Sequence, residues 1–349
     1  MAGARYSARP PSLEAQLSFI YEVPVDPDAE NNSHAFALGM IGHNKSVLEV
    51  GCSTGFLTKV LVERGCNVVG MELDPDAAEL AEAWAERVVV GDLDDADLWN
   101  YVKDESFDVV LLGDVLEHLR DPLASLRQAA RKLKPTGFVV TSLPNVAHGD
   151  VRIALMNGKF PYNDFGLLDR THVTFFTLES IRELLREAGL VPVETRRVVM
   201  PLFMSEIGVT REDVSHKALD ELHTDPEVES YQFVMKSVRD NGLESVRQLA
   251  ARVDQLGDRI HHQRMRIALA RKGLIDNNIL HEALAEHKRY IAALDGHARG
   301  LEHNVDVMKE SLATADANYR ALQAQRVPLF RGFYLRLKRR SNDRAERRS

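Results

Sequence analysis

The stretch SVLEVGCSTGFLTKVL, Ser46 to Leu61, constrains the fold more than any other part of the chain. An apolar run reaches an acid, Glu49, passes through Gly51-Cys52-Ser53-Thr54-Gly55, and continues into apolar residues at helical spacing. A strand that leaves through two glycines directly into a helix lets the backbone approach a ligand closely. The same grammar continues to Ser142. SVLEV, NVVGMEL, RVVVGDL, FDVVLLGD and GFVVTSL are short β-branched runs, with helical stretches such as PDAAELAEAWA and LASLRQAARKL between them. Strands alternating with amphipathic helices predict an α/β fold with a doubly wound, mostly parallel sheet whose ligands sit beyond the strands' carboxyl ends. VPVETRRVV and YQFVMKSV read as two closing strands, seven in all, and TLESIRELLREAGL as a helix with a Thr cap and a Glu in its first turn. The segments 144–177 and 201–230 read as irregular insertions.

Near Asp240 the pattern changes. From Gly242 to Gln325 there is no proline, and apolar residues recur at 4-3 spacing: Val246, Leu249, Val253, Leu256 and Ile260, then Ile291, Leu294, Leu301, Val305, Met308, Leu312, Tyr319 and Leu322. That is coiled-coil periodicity, interrupted around Gly273 and Asp276-Asn277-Asn278. The first half could equally pack on its own globular domain, whereas the repeat after Ile291 predicts partner helices, most simply a homo-oligomer. The expected layout is therefore a sheet domain over 1–239, a helical coiled coil over 240–325 and a basic tail over 326–349.

Charge separates the tail from the body. The net charge is −8, yet Arg326 to Ser349 holds nine Arg/Lys and two acids, a net of +7, which leaves −15 on the first 325 residues. Leu329, Phe330, Phe333, Tyr334, Leu335 and Leu337 interleave with these cations, a composition suited to an anionic membrane surface, to RNA, or to a disordered tail. Of the three, peripheral membrane contact is the reading taken here. An acidic body argues against nucleic acid as the substrate. Two cysteines make no disulfide framework, no apolar run approaches about 20 residues, and the N-terminus lacks an apolar signal region. The expected setting is the cytoplasm, including the inner face of the cell membrane.

Three successive strand ends carry polar groups that would suit adenosine. The glycine turn offers close approach through Gly51, Cys52, Ser53 and Gly55; Glu72 ends the next strand 21 positions after Gly51; Asp92 follows the third strand. An acid about 20 residues beyond such a turn meets a ribose diol in nucleotide-binding units, and a carboxylate at the third strand end can accept from an adenine amino group. The turn lacks the full G-x-G-x-x-G, and no G-x-x-x-x-G-K-[ST] loop occurs, so a pyrophosphate cradle is not indicated. Glu49 and Asp114 at neighbouring strand ends suit a cationic ligand.

VLEVGCSTG, GMELD, GDL and FDVVLLGDVLEHLRDP resemble the successive motifs of class I S-adenosylmethionine-dependent methyltransferases over about Ser46 to Val238. The resemblance implies a Rossmann-like doubly wound seven-stranded sheet and S-adenosyl-L-methionine as cofactor. It implies contacts from Glu49, Gly51, Cys52, Ser53, Gly55, Glu72, Leu73, Asp92, Leu93 and Gly113, with Glu72 on the ribose and Asp92 at the adenine. Ser53 departs from the glycine common at that position.

Methyl transfer from a sulfonium needs alignment and, for an alcohol acceptor, removal of a proton. In DVLEHL, Asp114, Glu117 and His118 would share one face if a helix begins there, and could bind Mg²⁺ or Zn²⁺ or simply line the pocket. The motif is similar to the D/E-x-x-E-H of ubiquinone-biosynthesis O-methyltransferases, which implies a divalent metal. His172, in LLDRTHVTFFT, is the candidate base, with His118 and Asp114 as further catalytic candidates; the alternative is that His172 only ties down its loop. Asp169, Arg170, Asn145 and His148 are further candidates to face the acceptor. The longer pattern SLPNVAHGDVRIALMNGKFPYNDFGLLDRTHVTFFT is similar to methyltransferases associated with bacterial surface polysaccharides, which implies a sugar hydroxyl of a glycan or glycolipid precursor as acceptor. Phe160, Tyr162, Asn163 and Phe165 would suit sugar stacking and hydrogen bonding. The rivals are a small-molecule O-methyltransferase with an apolar cavity for a quinone or secondary metabolite, and a coiled-coil scaffold for glycan assembly.

Overall fold

The computed structural model describes residues 25–240 and 257–258. The expected coiled coil, apart from those two residues, and the basic tail lie outside the described residues. Within them, seven strands form one sheet: β1 (Ser46–Val50), β2 (Asn67–Glu72), β3 (Arg87–Val90), β4 (Phe107–Gly113), β5 (Leu133–Pro144), β6 (Leu190–Val199) and β7 (Ser230–Arg239), in the order β3-β2-β1-β4-β5-β7-β6. The first five are parallel and β7 runs antiparallel between β5 and β6. Seven helices accompany them: α1 (Ser33–Ile41), α2 (Phe56–Glu63), α3 (Pro75–Ala81), α4 (Pro122–Lys132), α5 (Gly149–Met156), α6 (Leu178–Glu187) and α7 (His216–Leu222).

The continuous apolar strand runs are explained by burial on both faces. Successive residues point to opposite sides, so Val47, Val109 and Leu111 join Leu38, Ile41 and Leu61 of α1 and α2 in one core layer. Leu48, Val50, Val110 and Leu112 join Leu126 and Ala129 of α4 and Ile181 and Leu185 of α6 in the other. A third cluster holds the two insertions together: Val151 and Ile153 of α5 pack with Leu167, Leu168, Leu202, Ile207 and Val228. The insertions are thus not wholly irregular, since α5 lies in one and α7 in the other, and α1 precedes the first strand. Thr177 caps α6 as expected and closes a capping box with Ser180.

The edge strand β6 is anchored by a buried cation. Arg197 meets Glu227 through two guanidinium nitrogens, at 2.9 and 2.8 Å, and Asp258 at 2.5 Å, and Asp258 also meets Arg182 at 2.6 Å. The Arg197 side chain is 4 % exposed, so removing it would take the bidentate cation from Glu227 and one of two arginines from Asp258. We expect Arg197→Leu to destabilise the fold by about 3 kcal/mol, read as a lower urea midpoint; a loss under about 0.5 kcal/mol would mean that solvent already screens the pair.

Candidate functional site

The parallel register sets the turn after β1, the end of β2 and the end of β4 on one edge of the sheet. Val50 pairs with Met71 on one side and Leu112 on the other. The chain leaves β1 through Gly51, whose N–H donates to Met71 O at 2.8 Å and whose φ is +71°. A Cβ there would come within 2.5 Å of the Val115 side chain. Ser53 adopts a left-handed φ of +47°, a conformation glycine holds at less cost. Gly55 has another role. Its missing Cβ would come within 2.9 Å of the Ala81 Cα, so it lets α2 pack closely on α3.

A cavity of about 190 Å³ opens at this edge, lined by His34, Glu49, Gly51, Ser53, Phe56, Gly113 and Asp114 among others. Glu49 is buried and accepts a 2.6 Å hydrogen bond from Thr58 Oγ1. Burial lifts its carboxyl to about 8; the Thr58 bond opposes the shift and the negative charge of Glu72 adds to it. His34 reaches the cavity from α1 and stacks on Phe56 at 5.3 Å, a contribution from a helix the sequence patterning had missed. Cys52 turns its side chain away from the cavity. Its side chain is buried against Gly70, its thiol pushed up by burial, and it does not line the cavity.

Glu72, Leu73, Asp92 and Leu93 lie at the ends of β2 and β3, outside this cavity's lining. The Glu72 carboxylate accepts from Ser53 N at 2.7 Å, Leu73 N at 2.9 Å and Asp74 N at 3.0 Å. It therefore pins the turn after β1 to the end of β2. Asp92 is exposed and accepts from Asp94 N at 2.9 Å.

A second cavity, about 270 Å³, is lined by Asp114, Glu117, His118, Pro144, Gly166, Asp169, His172, Tyr231 and Gln232. Asp114 lines both cavities. It too is left-handed, at φ +56°, and its carboxylate accepts from Gln232 Nε2, which also donates to Ser142 Oγ at 2.7 Å. Burial raises Asp114 to about 6, against the hydrogen bonds from Ser142 and Gln232.

The helix expected to align Asp114, Glu117 and His118 is absent: Leu116–His118 is a single 3₁₀ turn. Glu117 is buried, its carboxyl raised well above the usual range by burial and then by the Asp114 charge, and its Oε2 has no partner. Val173 N and Thr174 N donate to the Glu117 carbonyl at 2.9 and 3.0 Å, which fastens the His172 loop to this turn. The His118 and His172 rings meet edge to face at 4.9 Å, and His172 Nδ1 is buried without a partner. Burial lowers the His172 pKa and the neighbouring His118 lowers it further, so His172 is neutral at cellular pH. Among the described residues the groups whose ligand atoms all lie within 4.8 Å of one another are Glu117, His118 and His172. The donors that lie together thus include His172, whereas the sequence grouped Asp114 with Glu117 and His118. One carboxylate and two imidazoles, with Glu117 Oε2 and His172 Nδ1 both buried and unpartnered, form a donor set that fits a divalent ion.

Three expected acceptor-facing residues have other roles. His148 is fully buried, with Nε2 at 2.9 Å from Met200 O, and caps α5 by accepting from Asp150 N. Asn145 is buried and donates to Ser230 O at 2.8 Å. Arg170 is held by Asp164 at 3.0 Å and by the Tyr162 carbonyl at 3.2 Å. Tyr231 and Gln232, by contrast, line the second cavity without any sequence signal.

Residues 30–195 match the Methyltransf_23 family, a methyltransferase domain. That stretch contains the glycine turn, both acidic strand ends and Asp114 through His172. Residues 30–195 are a class I S-adenosylmethionine-dependent methyltransferase domain. The chain is similar to the ubiquinone biosynthesis O-methyltransferase of Hydrogenovibrio crunogenus, 30% identical over 150 residues that cover 42% of this chain and 62% of that one. It is also similar to the enzyme of the same name from Cereibacter sphaeroides, 30% identical over 159 residues, 44% of this chain and 63% of that one. The chain thus spans less than two thirds of the length of these relatives. A solved S-adenosylmethionine-dependent methyltransferase from Archaeoglobus fulgidus matches at 18% identity with a TM-score of 0.44, over 58% of this chain and 91% of that one.

For this methyltransferase domain, a cofactor bearing an ammonium and a sulfonium would favour the Glu49 carboxylate, whose proton would pass to solvent. Between about pH 4.5 and 8 the folded domain keeps a proton that the unfolded chain has released, so Glu49 lowers stability as pH rises through that window. A cationic ligand reverses part of this by favouring the carboxylate. We expect S-adenosylmethionine affinity to rise several-fold from about pH 6 to 8, and Glu49→Gln to flatten the profile in calorimetric titrations. A steep profile surviving in the variant would move the linked proton to another group.

Proposed function

We propose that the chain is an S-adenosylmethionine-dependent O-methyltransferase acting on a small hydroxyl-bearing molecule. One observation carries this reading: Asp114 walls both cavities, so a donor in the first and an acceptor in the second would meet beside one carboxylate. The names of the two relatives given above, both ubiquinone biosynthesis O-methyltransferases, support oxygen as the acceptor atom and a small molecule over a glycan.

The reaction is an in-line substitution. The acceptor oxygen bonds to the methyl carbon, the carbon–sulfur bond breaks, and its electron pair leaves the sulfonium as a neutral thioether. Glu49 faces the cationic donor. Asp114 accepts the hydrogen bond that orients the hydroxyl, and neutral His172 takes its proton. Glu72 and Asp92 would hold the nucleoside beyond the cavity. Should a divalent ion bind, Glu117, His118 and His172 would hold it, and it would polarise the hydroxyl.

A second reading keeps the sugar acceptor, on a specific observation. From His172 a run of edge-to-face rings leads outward, Phe175 at 6.2 Å, then Phe160 at 5.8 Å, then Tyr162 at 5.1 Å, and Tyr162 is 50 % exposed. Seven of the nine residues that line the cavity are polar or charged, where a lipid quinone would favour apolar side chains. Both features suit a sugar.

His172→Ala and Asp114→Asn should each lower kcat on a catechol by about 10²–10⁴-fold with cofactor affinity little changed, measured by release of S-adenosylhomocysteine. Wild-type turnover in both variants would contradict the assignment. The paired change Glu72→Ala, Asp92→Ala should instead weaken cofactor binding. Zn²⁺ titrated by calorimetry should bind the wild-type protein and Asp114→Asn but not His172→Ala, which separates the observed trio from the one expected from sequence.

A further inference from the structure

Oxygen acceptors outnumber donors in the lining of the second cavity, where the imidazoles of His118 and His172 are the groups left to donate. Its carboxyl groups come from three places: Asp114 after β4, Glu117 in the 3₁₀ turn and Asp169 in the insertion loop. No lysine or arginine is among its lining residues. The nearest guanidinium in sequence, Arg170, is committed to Asp164 at 3.0 Å and to the Tyr162 carbonyl.

The neutral groups point the same way. Tyr231 gives its hydroxyl hydrogen to Glu206 Oε2 at 3.0 Å, so its oxygen can only accept from a ligand. Gln232 spends its amide nitrogen on Asp114 and Ser142, which leaves its carbonyl oxygen for anything in the cavity. Glu117 Oε2 is buried with no partner at all. Asp169 uses one carboxylate oxygen to accept from Thr171 N and Thr171 Oγ1, both at 2.7 Å. A wall of this kind satisfies donors and leaves an incoming acceptor unpaired.

From this wall we infer that the site selects its acceptor by charge: it takes neutral or cationic hydroxyl compounds and rejects those carrying a carboxylate or phosphate close to the reacting hydroxyl. The inference rests on the proposed methyl transfer only for the place where the acceptor sits. It narrows both readings given above, removing acidic phenols from the first and uronates and sugar phosphates from the second. A hydroxyl donor meets Asp114, an ammonium meets Asp169, and a carboxylate would face those acids with no lysine or arginine in the lining and only the two imidazoles to donate to it.

The test uses three matched compounds: 3,4-dihydroxybenzyl alcohol, 3,4-dihydroxybenzylamine and 3,4-dihydroxybenzoate. They share one catechol and differ only in a neutral, positive or negative substituent. Calorimetric binding to the full chain loaded with S-adenosylhomocysteine, in buffer with EDTA, should place the alcohol and the amine at least tenfold tighter than the acid. The gap should persist at about 1 M salt, where screening acts beyond about 3 Å, because it arises from groups in direct contact and not from the acidic body as a whole. Asp169→Asn keeps the oxygen that Thr171 needs and should narrow the gap between amine and acid. Benzoate binding within twofold of the alcohol overturns the inference and leaves the methyltransferase reading standing. The expected binding order without methylation of any of the three overturns that reading and leaves the inference. If none of the three binds, both fall.

Discussion

Parallel hydrogen bonding between β1, β2 and β4 is the constraint on which the site depends. It places the turn after β1, Glu72 and the left-handed Asp114 on a single edge, because Val50 must lie beside both Met71 and Leu112. Everything polar at that edge follows from the ladder ending there. Strands buried on both faces can carry little besides apolar side chains, so chemistry is pushed to the strand ends, where the chain first meets solvent. Glu72 then reinforces the arrangement from one side and Gln232 from the other. Each ties a strand end to a turn that the ladder alone would leave loose.

This explains why the donor half was legible in the sequence and the acceptor half was not. The donor half is local. Strand, glycine turn, helix and terminal acid follow one another within about thirty residues, so spacing alone locates Glu49, Gly51 and Glu72. The acceptor half is assembled from β7, the 3₁₀ turn after β4 and two insertions, more than a hundred residues apart in sequence. Tyr231 and Gln232 carry no motif; only the antiparallel pairing of β7 with β5 brings them beside Ser142 and Asp114. Asn145 and His148 mislead for the opposite reason. They sit just past a strand end and have the right chemistry, but the return of the insertion buries them and occupies their polar atoms with main-chain partners. Helical phasing failed at Leu116–His118 because one 3₁₀ turn does not sustain a face, and the donors that lie together there are Glu117, His118 and His172.

The two cavities also differ in how their buried charge is held. Glu49 is buried with one short bond from Thr58 and the like charge of Glu72 near it, so its state responds to whatever cation arrives. In the acceptor cavity, carboxyl groups crowd one another, and Glu117 has an oxygen left over. A group so poorly satisfied costs stability and is consistent with a surface shaped for a ligand.

The pairing of Gly166 with Glu206 has a longer reach than its size suggests. Glu206 accepts from Leu167 N at 2.6 Å and from Tyr231, and a Cβ at position 166 would fall 2.1 Å from its Oε1. The two positions, forty residues apart, are therefore coupled. Gly166 is also left-handed, at φ +88°, and its missing Cβ would lie 2.8 Å from the Tyr231 hydroxyl. Glycine at 166 thus fixes where Glu206 and Tyr231 can stand, and with them one wall of the second cavity.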